Sequence, residues 1–174
     1  EEIPDGNTTF KCAPPIRERE NNDKLFEALR GSVIDFVATD HSPAPPEMKK
    51  IESGDFDEAW GGIASLQFSL SILWTIMKNK GEPIGKLATW LSKNSAKLPA
   101  LEKKGQLKKG FDADILVFDP EDKFTVNEEM ILHRHKITPY LGEELFGVVN
   151  QVYVSGEKLF EKGKFLHLTR GSIL

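Results

Sequence analysis

The sequence predicts an α/β fold over its first hundred residues, followed by a mainly β part. Three observations predict it. A strand-like run, a helix and a second strand-like run succeed one another before Asp40. A long apolar helix pattern follows Trp60. After Leu101, short runs rich in β-formers alternate with Gly105, Gly110, Gly142, Gly156 and Gly163.

Thr8 to Lys11 reads as a short strand, ended by Cys12-Ala13-Pro14-Pro15 because consecutive prolines cannot continue a hydrogen-bonded ladder. Asn21 or Asn22 caps a helix to Arg30 with Leu25, Phe26 and Leu29 as its apolar stripe, and Gly31 stops it. Val33-Ile34-Asp35-Phe36-Val37-Ala38-Thr39 is mostly apolar, as a strand buried on both faces is. Strand, helix and strand form a βαβ unit with parallel strands. A short helix is expected near Pro46 to Glu52, ended by Gly54. Ile63, Leu66, Leu70, Leu73 and Met77 recur at helical spacing, so one helix is expected from Ile63 to Lys80. Pro83 opens another through Leu91, and a third lies near Ser95 to Leu98. Gln106-Leu107, Ala113 to Asp119, Leu145 to Val149 and Val152 to Ser155 read as strands. Val152 to Phe160 reads as a hairpin turning at Ser155-Gly156. The expected division is residues 1–98 and 99–174.

The 174 residues can bury a substantial core. A net charge of -4 with no basic stretch argues against a nucleic-acid partner. The pairs Lys103-Lys104 and Lys108-Lys109 read as solvated loops. One cysteine, Cys12, excludes an internal disulfide and a Cys-rich zinc site; it reads as a small buried residue. No apolar stretch is long enough to span a membrane. The chain opens Glu1-Glu2-Ile3-Pro4 without Met or a leader pattern, so it is read as the middle of a longer protein.

Asp40 is the sharpest chemical feature. It follows the apolar run at the strand's C-terminal end, where parallel α/β barrels place their active sites. A carboxylate there can bind a metal and shuttle a proton. The structural alternative is a helix cap or an Asx turn before Pro43. His133-Arg134-His135 puts two imidazoles on one strand face but falls beyond the domain boundary and is read as a decoy. His41 reads as a residue that supports the ligands or packs beside them rather than as a ligand, and His167 is assigned no role. Trp74 and Trp90 read as packing, and the polar loop from Met48 to Asp57 as solvated or a lid.

Lys11 to Arg17 and Ala38 to Pro43 resemble the last barrel segments of the cyclic amidohydrolases, the relatives of hydantoinase, dihydropyrimidinase and allantoinase. Gly110-Phe111-Asp112-Ala113-Asp114-Ile115-Leu116-Val117 is similar to a strand of their small β-domain, and Thr138-Pro139-Tyr140-Leu141-Gly142 to their tail. Four such segments in the family's order cover about Phe10 to Phe165. Asp40 to Pro46 and Ala59 to Gln67 look most like the allantoinase branch; dihydropyrimidinases carry an Asn-Gly-Gly-Pro-Gly type segment where this chain has Trp60-Gly61-Gly62-Ile63-Ala64.

The resemblance implies a C-terminal part of a (β/α)8 barrel of a metal-dependent hydrolase plus part of a small β-sandwich-like domain. It implies two divalent ions, usually zinc, and a hydrolysis that opens a cyclic amide. The residue matching Asp40 binds one metal and carries the proton, while Ala13, Trp60 and Gly61 match positions that hold the ring through backbone groups. The other metal ligands of the family, a His-x-His pair, a carboxylated lysine and two histidines, match nothing here. This chain alone is therefore expected to be inactive. A barrel takes about 250 residues, which places about six strands upstream. The family further implies a small-molecule substrate and a homo-oligomer, a tetramer. Cytoplasm is the default compartment. The rival readings are a dihydropyrimidinase or hydantoinase, and a non-catalytic paralogue that uses the barrel as a scaffold.

Overall fold

The computed structural model of the chain describes residues 3–166, so His167 lies outside the described residues. Packing groups the chain into two compact units, Glu1–Ser69 with Thr125–Glu144, and Leu70–Phe124 with Leu145–Leu174.

The first unit holds helix α1 (Arg19–Arg30) and the single-turn α2 (Pro46–Lys49). Helix α1 starts earlier than expected, with Glu18 at the N-cap position and no side-chain cap. Its core face is Phe26 and Leu29, and Gly31 ends it as the sequence predicted, with its N–H on the Glu27 carbonyl. Two expectations fail here. Thr8–Phe10 is a 3-10 turn, not a strand. The run from Val33 to Thr39 makes no ladder; only His41 bridges Ile63, in parallel. A β-strand is stable only with a hydrogen-bonded neighbour, and among the described residues no other segment pairs with this run. Val33 is correspondingly 80% exposed.

That bridge also explains why the long helix is shorter than its pattern. Residues 63–65 run beside His41, Leu66–Phe68 form a 3-10 turn, and only then does α3 (Ser69–Asn79) begin. Apolar spacing cannot distinguish a strand entering a helix from a helix throughout. Segment 125–144 returns to this unit: the Gln67 side chain donates to the Met130 carbonyl (2.7 Å) and accepts from the Leu132 N–H (2.8 Å).

The second unit is built on α3, a helical run comprising α4 (Gly85–Ala88) and the π-turn Thr89–Lys93, and a four-stranded sheet. The strands are β1 (Ile115–Thr125), β2 (Glu144–Val154), β3 (Glu157–Glu161) and β4 (Lys164–Phe165), neighbours in sequence order. The two strands expected at Leu145–Val149 and Val152–Ser155 are one, and Gln106-Leu107 is not a strand. Pro120 lies inside β1, which is tolerable because β1 is an edge strand. The predicted hairpin is present, with Val154 opposite Glu157 and both Ser155 and Gly156 at positive φ, the conformation a two-residue hairpin turn requires. Two hydroxyls of α3 dock β2: Ser71 donates to the Gly147 carbonyl (2.8 Å) and Thr75 accepts from the Phe146 N–H (2.9 Å).

Candidate active site

Asp40 ends the apolar run in the left-handed region, at φ 43°. Asp tolerates that conformation better than most residues, but it still needs support from its surroundings. Ser65 supplies it on both sides. Its hydroxyl donates to the Thr39 carbonyl (2.9 Å) and its backbone N–H donates to His41 Nδ1 (3.1 Å). The Leu66 N–H reaches the same nitrogen (3.1 Å), and Ser42 N–H donates to the Ile63 carbonyl (3.0 Å). Nδ1 accepts two N–H groups, so it carries no proton, and a neutral His41 is the Nε2–H tautomer. The Asp40 side chain is exposed, free to face a reacting group.

The segments holding the other expected site residues lie beside it. Trp60 Nε1 donates to Ser42 Oγ at 3.2 Å, which ties the indole to the segment just after Asp40. A Cβ at Gly62 would stand 2.4 Å from Ser42 Oγ and 2.7 Å from Trp60 Nε1, so only glycine permits this approach. A Cβ at Gly61 would stand 3.2 Å from the Ala13 Cβ, so Ala13 and Gly61 face each other closely. The structure thus brings Ala13 against Gly61 and ties Trp60 to Ser42, two residues after Asp40. Thr138 Oγ1 braces the arrangement by donating to the Ala64 carbonyl (2.8 Å).

Three residues of this frame escaped the sequence reading: Ser42, Ser65 and Lys49. Lys49 stood in a polar stretch read as solvated, yet it is 3% exposed and donates to three backbone carbonyls. Burial lowers its pKa from the ordinary lysine value. His133, placed far from the site by its position in the sequence, packs its ring edge-on to His41 with centroids 5.7 Å apart. Its two ring nitrogens are shielded and make no hydrogen bond among the described residues. Desolvation pushes its pKa down; the nearby His135 backbone opposes this and His41 adds to it. Burial likewise raises the Tyr140 phenol, with Cys12 as a second cause.

Among the described residues no three His, Cys, Asp or Glu side chains gather as a metal cluster.

The chain resembles known proteins throughout its length. It is 45% identical over 166 residues to a probable allantoinase of Oryza sativa subsp. japonica, covering 94% of this chain and 33% of that protein. It is 43% identical over 175 residues to an allantoinase of Arabidopsis thaliana, covering 99% of this chain and 35% of that protein. The L-hydantoinase (dihydropyrimidinase) of Arthrobacter aurescens superposes with a TM-score of 0.86 at 32% identity, over 93% of this chain and 36% of that one. The chain spans about a third of the length of the curated relatives it matches. The α/β portion has the fold of a C-terminal part of such a barrel. The family model described as "Amidohydrolase family" matches residues 15–159, and the chain belongs to that family.

Proposed function

We propose that this chain is the C-terminal part of an enzyme that hydrolyses the ring amide of allantoin to give allantoate, a step of purine degradation. The observation that carries the reading is the 42–45% identity to two allantoinases and two probable allantoinases over at least 94% of the chain. Residues 1–98 then belong to the barrel and 99–174 to part of the small β-domain and the tail.

The family is generally metal-dependent. In this reading the full-length protein would hold a divalent metal, two zinc ions per subunit, with Asp40 as one ligand and the other ligands in the part of the protein that this chain does not cover; when bound, the metal would supply an activated water. Asp40 takes a proton from the attacking water and delivers it to the leaving ring nitrogen as the C–N bond breaks and the new C–O bond remains. Backbone groups of Ala13, Trp60 and Gly61 hold the ring, whose flat, polar edge suits amide donors and acceptors. The protein acts on a small molecule, as a homotetramer, in the cytoplasm. No helix among the described residues is long and apolar enough to cross a membrane.

A hydantoinase or dihydropyrimidinase activity is the second reading, favoured by the hydantoinase structures with TM-scores of 0.83 and 0.86. Turnover of allantoin, dihydrouracil and an aryl-substituted hydantoin by the purified full-length protein separates the readings. Allantoin is expected to be opened fastest; a preference for dihydrouracil promotes the second reading, and no turnover of any of them leaves the scaffold paralogue.

A further inference from the structure

We infer that Lys49 is a positioning residue for substrate recognition, holding the peptide groups that face the ring; this rests on the proposed ring-opening activity. An ammonium has three N–H donors, and Lys49 spends all three on backbone carbonyls: those of Lys11 (2.9 Å), Trp60 (3.1 Å) and Gly62 (2.7 Å). These carbonyls belong to the two segments that meet at the Ala13–Gly61 contact.

A peptide unit is planar and trans, so its N–H points opposite to its carbonyl. Anchoring the Trp60 carbonyl on Lys49 therefore aims the Gly61 N–H away from the ammonium. Anchoring the Lys11 and Gly62 carbonyls does the same for the Cys12 and Ile63 N–H groups. Polarisation along such a chain also strengthens the far-side donor. Lys49 itself is 3% exposed, which leaves its ammonium no route to touch substrate. The helix that carries it is pinned to the same segment, because the Trp60 N–H donates to the Met48 carbonyl (2.7 Å). One buried cation thus sets the direction of several amide groups around the Ala13–Gly61 contact, whereas Asp40 is held separately by Ser65 and His41. Loss of Lys49 should weaken ring binding while sparing the proton-transfer step.

The test compares Lys49→Arg and Lys49→Met with Asp40→Asn in the full-length, metal-loaded protein, by steady-state kinetics on allantoin, metal analysis and thermal unfolding. Arg keeps the charge but presents it as a planar fork. The expected result is a KM raised about tenfold in Lys49→Arg with kcat within about threefold, a larger rise in Lys49→Met, and normal metal content in both. Asp40→Asn shows the opposite split. A fall in kcat at unchanged KM, or a loss of metal, in Lys49→Arg overturns the inference. So does a lowered melting temperature with unchanged kinetics, or failure of both variants to fold, since either assigns Lys49 to the fold alone. An inactive wild-type protein refutes the proposed activity before any variant is compared, and this inference falls with it. An active wild type with a kcat effect in the Lys49 variants refutes the inference alone.

Discussion

Ser65 grips His41 and the residue before Asp40 at once: its N–H meets His41 Nδ1 at 3.1 Å and its hydroxyl meets the Thr39 carbonyl at 2.9 Å. The carboxylate between them gains a fixed backbone without spending its own oxygens on structure.

His41 acts in this clamp through Nδ1 as an acceptor. Asn places its amide oxygen near the Nδ1 position, whereas Gln places it nearer Nε2. His41→Asn should stay within about 1 kcal/mol of wild type in chemical denaturation, and His41→Gln should lose about 1–3 kcal/mol because two N–H groups are left unpaired. The reverse order would mean that Nε2 carries the role.

The glycines beside Trp60 should differ in tolerance. A Cβ at Gly62 meets Ser42 Oγ at 2.4 Å, while one at Gly61 meets the Ala13 Cβ at 3.2 Å. Gly62→Ala should therefore cost about 1–3 kcal/mol of stability, the usual range for overpacking, and Gly61→Ala less. Thermal unfolding of the two variants checks the order. Equal effects would show that the Ser42–Trp60 contact yields freely.

Helix α3 meets β2 at a second glycine. Gly147 has φ 96°, and a Cβ there would come within 3.2 Å of Trp74 Cδ1. Gly147→Ala should destabilise by about 1–3 kcal/mol, from strained φ and overpacking together. A melting temperature unchanged by the substitution would contradict this packing.

Asp114 gives the β-rich part a defined acid sensitivity. Its hydrogen bond with Lys104 (2.5 Å), and secondarily the Ser155 N–H (2.8 Å), hold its pKa below the ordinary aspartate value. A depressed folded pKa means stability that is present above the unfolded value of about 3.9 and is lost as pH falls towards the lower folded value. The half-exposed setting keeps the contribution small. Asp114→Asn should remove that part of the decline in unfolding free energy below about pH 4. An unaltered acid profile would show that the pair contributes nothing.

Local chemistry made some of this legible in the sequence. The hairpin at Ser155-Gly156 and the helix stop at Gly31 follow from turn and helix-end chemistry within a few residues, and both are present. Asp40 stood out because a carboxylate closed an apolar run; its left-handed backbone at φ 43° had no signal in the sequence. Ladder pairing was not legible, since the run from Val33 to Thr39 has a strand's composition, but a ladder also needs a paired neighbour and none pairs with it among the described residues. The extended stretch before α3 was hidden because Ile63 fits the helical period that starts at Ser69. Lys49 and Ser65 were invisible for a related reason: each acts on backbone atoms of distant segments, and a lysine in a polar stretch has the signature of a solvated one. His133 came to His41 only through the return of segment 125–144.

The most direct test of the whole account is Asp40→Asn in the full-length protein, assayed for allantoin opening with metal content and melting temperature measured on the same sample. Asn suits the left-handed backbone at φ 43°, so the fold should persist. Turnover should fall by at least ~10²-fold, the low end of general acid–base effects. Near-normal turnover with normal metal content would contradict the assignment of Asp40.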